Sequence, residues 1–160
     1  MMKWFRREKG SADSSTPAAA LPADRPKRGT LVVDGAIADA AAVVQAGDKA
    51  GEFVSTAYSI AKAVGLVARF RYKTILFAHE QIDGSGEDLV RQLLDRGLLD
   101  ATRLYAMTAG NPTVAAMKYI GLPVDDFLGK PVSPAALVNL LTLPRKAKEQ
   151  PPSPSDGAAR

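Results

Sequence analysis

The sequence predicts an α/β fold in which helices cover both faces of a five-stranded parallel sheet. Short apolar, β-branched runs alternate with segments whose apolar residues recur at helical spacing, and the alternation occurs five times between residues 30 and 143. Strand–helix–strand connections are right-handed, so this alternation favours a parallel sheet with the strand order 2-1-3-4-5. The functional crevice of such a sheet lies at the carboxyl ends of its strands.

Each strand is a short run rich in apolar or β-branched residues that stops at a loop. The first run ends at Asp34-Gly35 and is fully apolar, which is typical of a buried parallel strand. The third is nearly continuous in apolar residues as far as Ala78. The predicted strands cover residues 30–33, 53–58, 73–78, 103–108 and 126–128.

The helices are predicted from apolar periodicity and from residues that begin or stop a helix. Gly47 and Gly97 are expected to stop the first and third helices, and Pro112 suits the first turn of the fourth. Ser133 is the expected N-cap of the last helix, with Pro134 in its first turn. The predicted helices cover residues 36–46, 60–69, 87–96, 112–119 and 134–143.

Composition divides the 160-residue chain into a domain and two tails. Residues 1–29 form a basic N-terminal tail and residues 144–160 a proline-rich C-terminal tail, and both are expected to be disordered because they contain few large apolar residues. The net charge of +4 comes from the tails, since residues 30–143 hold ten Lys and Arg against twelve Asp and Glu. Nucleic-acid binding by the domain is therefore not expected. The absence of cysteine, of a signal peptide and of a membrane span in the sequence makes the cytoplasm the expected location.

Four residues stand at or just beyond predicted strand ends: Asp34, Ala78, Thr108 and Lys130. Because parallel strands end at one edge, these residues are expected to meet there. Ala78 precedes Thr108 by 30 residues, and Thr108 precedes Lys130 by 22. The sequence around Lys130 reads Val124-Asp125-Asp126-Phe127-Leu128-Gly129-Lys130-Pro131-Val132-Ser133-Pro134.

These residues and spacings resemble a response-regulator receiver domain, a flavodoxin-like (CheY-like) fold, over about seven tenths of the chain. In that family an acidic pair after the first strand binds Mg²⁺, an aspartate ending the third strand accepts the phosphoryl group, and a lysine contacts the phosphate. The sequence departs from this pattern at Gly35, which replaces the second acid of the pair, and at Ala78, which replaces the acceptor. A methyl group cannot take a phosphoryl group.

The resemblance therefore predicts a degenerate pocket of Asp34, Gly35, Ala78, Thr108 and Lys130 with no catalytic residue and no enzymatic activity. Binding of Mg²⁺ is expected to be weak or absent, because one carboxylate of three remains. A structural salt bridge is expected between Lys130 and Asp34.

Three polar residues follow Ala78 directly or closely. His79 is expected to point away from the pocket as a packing residue, because neighbours on a strand point to opposite faces. Glu80 and Asp83 are expected to be solvated loop acids, with the alternative that Glu80 places a negative charge near Lys130.

The leading functional interpretation is a bacterial two-component-type adaptor that acts by contact and not by phosphorylation. Its expected partner is a histidine kinase, a phosphotransferase or another regulator. The expected contact face comprises the fourth helix, fifth strand and fifth helix, where Lys118 is the one charged side chain of the two helices. The switch and partner-face residues are Phe127, Tyr119, Lys118 and Pro131.

Two alternatives use basic residues outside this face. Cyclic di-GMP binding would use Arg145, Lys146 and Lys148, although this cluster is sparse and lacks a dense arginine motif. A membrane- or pole-attached scaffold would use Lys3-Trp4-Phe5-Arg6-Arg7, a short segment that alone binds weakly.

Overall fold

The computed structural model describes residues 25–146, which form a five-stranded parallel sheet with helices on both faces. The strands are β1 (Lys27–Val33), β2 (Val54–Ala57), β3 (Arg71–Ala78), β4 (Arg103–Thr108) and β5 (Asp126–Gly129). The helices are α1 (Ile37–Ala50), α2 (Ile60–Arg69), α3 (Gly86–Asp95), α4 (Pro112–Met117) and α5 (Pro134–Leu141). A small antiparallel hairpin pairs Glu80–Gln81 with Gly84–Ser85 between β3 and α3.

The strand order is β2-β1-β3-β4-β5, and every neighbouring pair is parallel. The predicted fold class and strand order are thus confirmed. Register places Val33 beside Phe77, Phe77 beside Ala106, and Thr108 beside Gly129. The carboxyl ends of the four strands β1, β3, β4 and β5 therefore meet at one edge.

Side chains alternate between two apolar cores as each strand passes through the sheet. Leu31 and Val33 join the core beneath α2 and α3, whereas Val32 joins the core beneath α1 and α5. Burial of these strand residues on both faces explains why the strands read as near-continuous apolar runs.

Helices α4 and α5 begin at the prolines that the sequence predicts. Ser133 Oγ accepts a hydrogen bond from Ala136 N at 3.1 Å, and Pro134 lies in the first turn of α5. Asn111 caps α4, in which Pro112 takes the first turn. None of the described helices is long and apolar enough to cross a membrane.

Several element boundaries differ from the prediction. Helix α1 continues through Gly47 to Ala50 and ends at Gly51, whose φ is 70°. A Cβ at position 47 would lie 2.4 Å from Val54 Cγ2. Gly47 therefore permits close packing of α1 against β2, and it does not stop the helix. Helix α4 is shorter than expected, and the hairpin after β3 was not expected.

The described domain also begins earlier than the strand prediction placed it. β1 starts at Lys27, and the guanidinium of Arg25 donates to the carbonyls of Val67 and Phe70. Residues 1–24 and 147–160, with the predicted tail disorder and Lys148, lie outside the described residues.

Candidate functional site

The carboxyl edge of the sheet brings together the pocket residues that the sequence predicts. Asp34 follows β1, Ala78 ends β3, Thr108 ends β4 and Lys130 follows β5. Asp34 and Ala78 are buried, with 1% and 0% of their surfaces exposed. The strand ends thus define a closed site around one lysine.

Lys130 is held by two carboxylates. Its Nζ lies 2.7 Å from Asp34 Oδ2 and 3.0 Å from Asp39 Oδ2. The other oxygen of Asp34 accepts a hydrogen bond from Ala36 N at 2.9 Å, which orients the carboxylate at the start of α1. The expected Asp34–Lys130 pair is present, and Asp39 is an additional partner.

Sequence reasoning missed Asp39, although a signal for it existed. The residue lies five positions after Asp34, in the first turn of a helix that was predicted to start at the carboxyl edge. Acidic side chains favour the first turn of a helix because the amino end carries partial positive charge. Here the same position also reaches the lysine.

The electrostatics of Lys130 follow from this double pairing. Burial works against its charge, but the hydrogen bonds and charges of Asp34 and Asp39 outweigh burial and raise the pKa of Lys130 above its ordinary value. The ammonium therefore stays charged and locally neutralised.

The side chain of Gln81 joins the carboxyl ends of β1 and β3. Gln81 Nε2 donates to the carbonyl of Ala78 at 2.7 Å and to the carbonyl of Val33 at 3.1 Å. One amide thus bridges the ends of β1 and β3. Sequence reasoning missed Gln81, because the turn signal at Asp83-Gly84 lacks flanking apolar strands and does not show in which direction the Gln81 side chain points.

The donor set does not fit Mg²⁺. Within residues 25–146 no group of three His, Cys, Asp or Glu side chains is arranged to hold a metal ion. The carboxylates of Asp34 and Asp39 already face the ammonium of Lys130. Gly35 contributes no side-chain oxygen, although a Cβ there would have ordinary contact, 3.6 Å from Tyr58 O.

Glu80 contacts Thr108 and not Lys130. Thr108 Oγ1 donates to Glu80 Oε2 at 3.2 Å and accepts from Gly110 N at 3.1 Å. The hydroxyl that the resemblance assigns to the switch is therefore held by an acid of the same chain.

Asp83 binds the start of α2. Its carboxylate accepts hydrogen bonds from Ile60 N at 2.8 Å and Ala61 N at 3.1 Å. The bond from Ile60 is the main cause of the lowered pKa of Asp83. With Glu80 and Gln81, this contact ties the hairpin to β1, β3, β4 and α2.

His79 points away from the pocket, toward Tyr119. Its Nδ1 lies 2.8 Å from Tyr119 Oη, and the two rings are 5.5 Å apart. Tyr119 also packs against Phe77 and Phe127, at centroid distances of 6.0 and 5.3 Å. Burial, followed by the charges of nearby Glu87, Glu80 and Asp88, raises the pKa of Tyr119 strongly.

The predicted partner-face residues differ in their exposure to solvent. Tyr119 is 2% exposed and belongs to the core, and Phe127 is half-buried against it. Lys118 and Pro131 are exposed. Three large apolar side chains on α4 and the turn after it are also exposed, namely Val114 (55%), Met117 (67%) and Ile120 (81%).

The predicted anion-contact residues have partners within the domain. Arg145 donates to the carbonyl of Arg28 at 2.9 Å, and Lys146 Nζ lies 3.0 Å from Asp125 Oδ1. Lys148 lies outside the described residues. Because both side chains already have partners in the domain, Arg145 and Lys146 do not form a free pair of phosphate-binding groups.

Solved structures similar to this one are CheY-like response-regulator receiver domains. The receiver domain protein from Methanospirillum hungatei JF-1 is 18% identical, with a TM-score of 0.63 over 71% of this chain and 89% of that one. Chemotaxis response regulator CheY4 of Vibrio cholerae is 20% identical, with a TM-score of 0.65 over 73% of this chain and 96% of that one. A two-component response regulator from Clostridium difficile is 20% identical, with a TM-score of 0.64 over 71% and 91%.

No protein-family model matches the chain, and no curated protein matches it. The structural likeness, at these identities, establishes that the chain has the CheY-like receiver fold.

Proposed function

We propose that this chain is a receiver-like adaptor of a bacterial two-component-type pathway that works without phosphorylation, through protein contact by the face of α4, β5 and α5. The observation that carries the proposal is Lys130, whose charge is balanced by Asp34 and Asp39 beside a buried Ala78. A lysine whose charge is already offset by two carboxylates of the same domain needs no phosphoryl group to hold its position.

The contacts of the hairpin support a fixed state. Glu80 holds the Thr108 hydroxyl, and Gln81 bridges the carbonyls of Val33 and Ala78. In a phosphorylated receiver these neighbours would respond to the phosphate. In this chain Glu80 and Gln81 already hold these groups by hydrogen bonds. The face of α4, β5 and α5 therefore keeps one conformation.

The exposed apolar side chains Val114, Met117 and Ile120 support α4 as the contact surface. They recur every three residues, and Lys118 is the nearby charge. Apolar side chains clustered in this way commonly mark a protein-binding surface. The proposed partner is a histidine kinase, a phosphotransferase or another regulator, and the proposed location is the cytoplasm.

The test is capture of purified histidine kinases and phosphotransferases from the source organism on the full chain and on matched variants. Ile120→Asp places a charge on the proposed face, and Ile82→Asp places it at the hairpin tip. The two isoleucines are almost equally exposed, at 81% and 82%. The proposal expects Ile120→Asp to lose the partner and Ile82→Asp to retain it; loss of the partner in neither variant, or only in Ile82→Asp, contradicts it.

A further inference from the structure

Charge is distributed unequally between the two edges of the sheet. The carboxyl edge is acidic, with Lys62, Lys118 and Lys130 as its bases against Asp34, Asp39, Glu80, Asp83, Glu87 and Asp88. At the opposite, amino edge, β1, β3 and β4 begin at Lys27, Arg71 and Arg103. Helix α2 ends there at Arg69, and α3 is followed by Arg96.

The fold brings basic groups together at the amino edge in spite of their repulsion. Burial, and next the charge of Arg71, lowers the pKa of both Arg25 and Arg145. Both guanidinium groups donate to backbone carbonyls, which holds them in place without removing their positive charge. Six acids also lie at this edge, namely Asp48, Glu52, Asp95, Asp100, Asp125 and Asp126, but the Lys and Arg side chains outnumber them. The edge therefore presents a net positive field to whatever approaches it.

Aromatic rings lie among these bases. The Arg28 guanidinium lies 3.8 Å from the Phe70 ring centroid and 5.4 Å from that of Phe53, and the Arg69 guanidinium lies 5.5 Å from Phe70. Phe53 is 62% exposed. We call Lys27, Arg28, Phe53, Arg69 and Phe70 the basic–aromatic patch.

The bases of the patch lack acidic partners among residues 25–146. The ion pairs within that range involve Arg71, Lys73, Arg91, Lys130 and Lys146, and not Lys27, Arg28 or Arg69. Lys27 and Arg69 are exposed. An exposed phenylalanine among such bases fits a partner that is anionic at its surface and apolar just beneath it, which describes a bilayer of anionic lipid.

The chain that leads into the patch has the same chemistry. Residues 3–7 read Lys3-Trp4-Phe5-Arg6-Arg7, and residues 8–24 separate them from Arg25. Those 17 residues can span at most about 60 Å, so the segment and the patch can contact one surface. Stable peripheral binding generally takes two such signals, and a short segment alone supplies one.

We propose that the amino edge of the sheet docks on anionic lipid bilayers, with the basic–aromatic patch and residues 3–7 binding together. The acidic carboxyl edge then faces away from the lipid. This proposal is independent of the adaptor function, because the patch lies at the opposite end of the sheet from the pocket.

The experiment is cosedimentation of the full chain with phosphatidylcholine vesicles containing about 30% phosphatidylserine. Each basic residue near such a surface contributes about fivefold to partitioning. Lys27→Gln with Arg69→Gln is therefore expected to lower the partition coefficient about 25-fold. Vesicles of pure phosphatidylcholine are expected to bind at least tenfold more weakly than the anionic ones.

The matched control is Lys62→Gln with Arg91→Gln, which removes the same charge from elsewhere on the domain. Lys62 lies two turns from Arg69 on α2, about 10 Å along the axis, or about one screening length at 0.1 M salt. The control is expected to lower partitioning less than about fivefold. Thermal melts of both variants check that each is folded.

Trp4, the one tryptophan of the chain, provides a second readout. Its emission is expected to shift to the blue on anionic vesicles, and the patch variant is expected to need more lipid for the same shift. Equal losses in the patch variant and the control overturn the proposal. So do equal binding to neutral and anionic vesicles, and binding to duplex DNA that is tighter than binding to vesicles.

Discussion

The charge of Lys130 is satisfied entirely by side chains of its own domain. Its side chain is 14% exposed, and that of Asp34 is 2% exposed, so their contact at 2.7 Å is largely buried. Removing one partner of a buried ion pair leaves an uncompensated charge, which costs more than the pair itself contributes. Asp39, at 38% exposure, is better solvated.

Two matched substitutions test this unequal balance. Asp34→Asn is expected to lower the free energy of unfolding by about 2–3 kcal/mol, because a buried ammonium loses its nearest carboxylate. Asp39→Asn is expected to lower it by less than about 1 kcal/mol. Urea unfolding measures both at pH 7. Equal costs for the two variants would show that Asp34 is not the dominant partner.

Alkaline pH tests Lys130 and Tyr119 together. The pKa of each is raised in the folded state, so each holds its proton to higher pH there than in the unfolded chain. Their stabilisation is therefore complete below about pH 10 and is lost as pH rises above it. Urea unfolding between pH 8 and the alkaline limit is expected to show this decline.

Tyr119→Phe separates the two contributions. It removes the hydroxyl next to His79 Nδ1, so about 1 kcal/mol of stability is expected to be lost at neutral pH. Above pH 10 the variant is expected to lose stability less steeply than the natural protein. Of the two groups with a raised pKa, only Lys130 then remains. An unchanged alkaline slope would mean that Tyr119 titrates normally in the folded chain.

At the scale of elements, the close packing of α3 depends on the glycine at its start. A Cβ on Gly86 would lie 2.2 Å from Tyr119 Oη and 2.7 Å from Phe77 Cε2. The glycine thus lets the Tyr119 ring lie over the first turn of α3. Gly65, in the exposed face of α2, has nothing within 4 Å of the same position.

Alanine at these two glycines is expected to act in opposite directions. Gly86→Ala should destabilise the fold by about 2 kcal/mol or more, because buried rings must shift. Gly65→Ala should stabilise it by about 0.5–1 kcal/mol, because alanine favours the helix. Thermal unfolding of both variants makes the comparison, and stabilisation by Gly86→Ala would contradict the observed packing of Tyr119.

The elements also show which boundaries the sequence can predict. The ends of α2 and β4 agree with prediction because apolar spacing changes sharply there. The prediction that Gly47 stops α1 was wrong, because local propensity treats glycine as a helix terminator, whereas the close contact of Gly47 with β2 is a tertiary feature. The hairpin at residues 80–85 was not predicted for the same reason, since it is held by tertiary contacts to β1, α2 and β4.

At the scale of the whole molecule, strand order and the meeting of Asp34, Ala78, Thr108 and Lys130 were predictable. Both follow from the alternation of strands and helices and from the rule that parallel strands end at one edge. The roles of Asp39 and Gln81 were not predicted, because they depend on side-chain directions that spacing alone does not fix. The burial of Tyr119 likewise depends on the glycine opposite it.

The most direct measurement of phosphorylation independence is intact mass after incubation with acetyl phosphate and Mg²⁺. The control is the variant Gly35→Asp with Ala78→Asp, which restores both missing carboxylates; a Cβ at Gly35 has room for the first of them. We predict no added mass on the natural chain. In a separate binding assay, the control is expected to bind beryllofluoride at least partially. A stoichiometric gain of about 80 Da on a single residue of the natural chain would contradict the account.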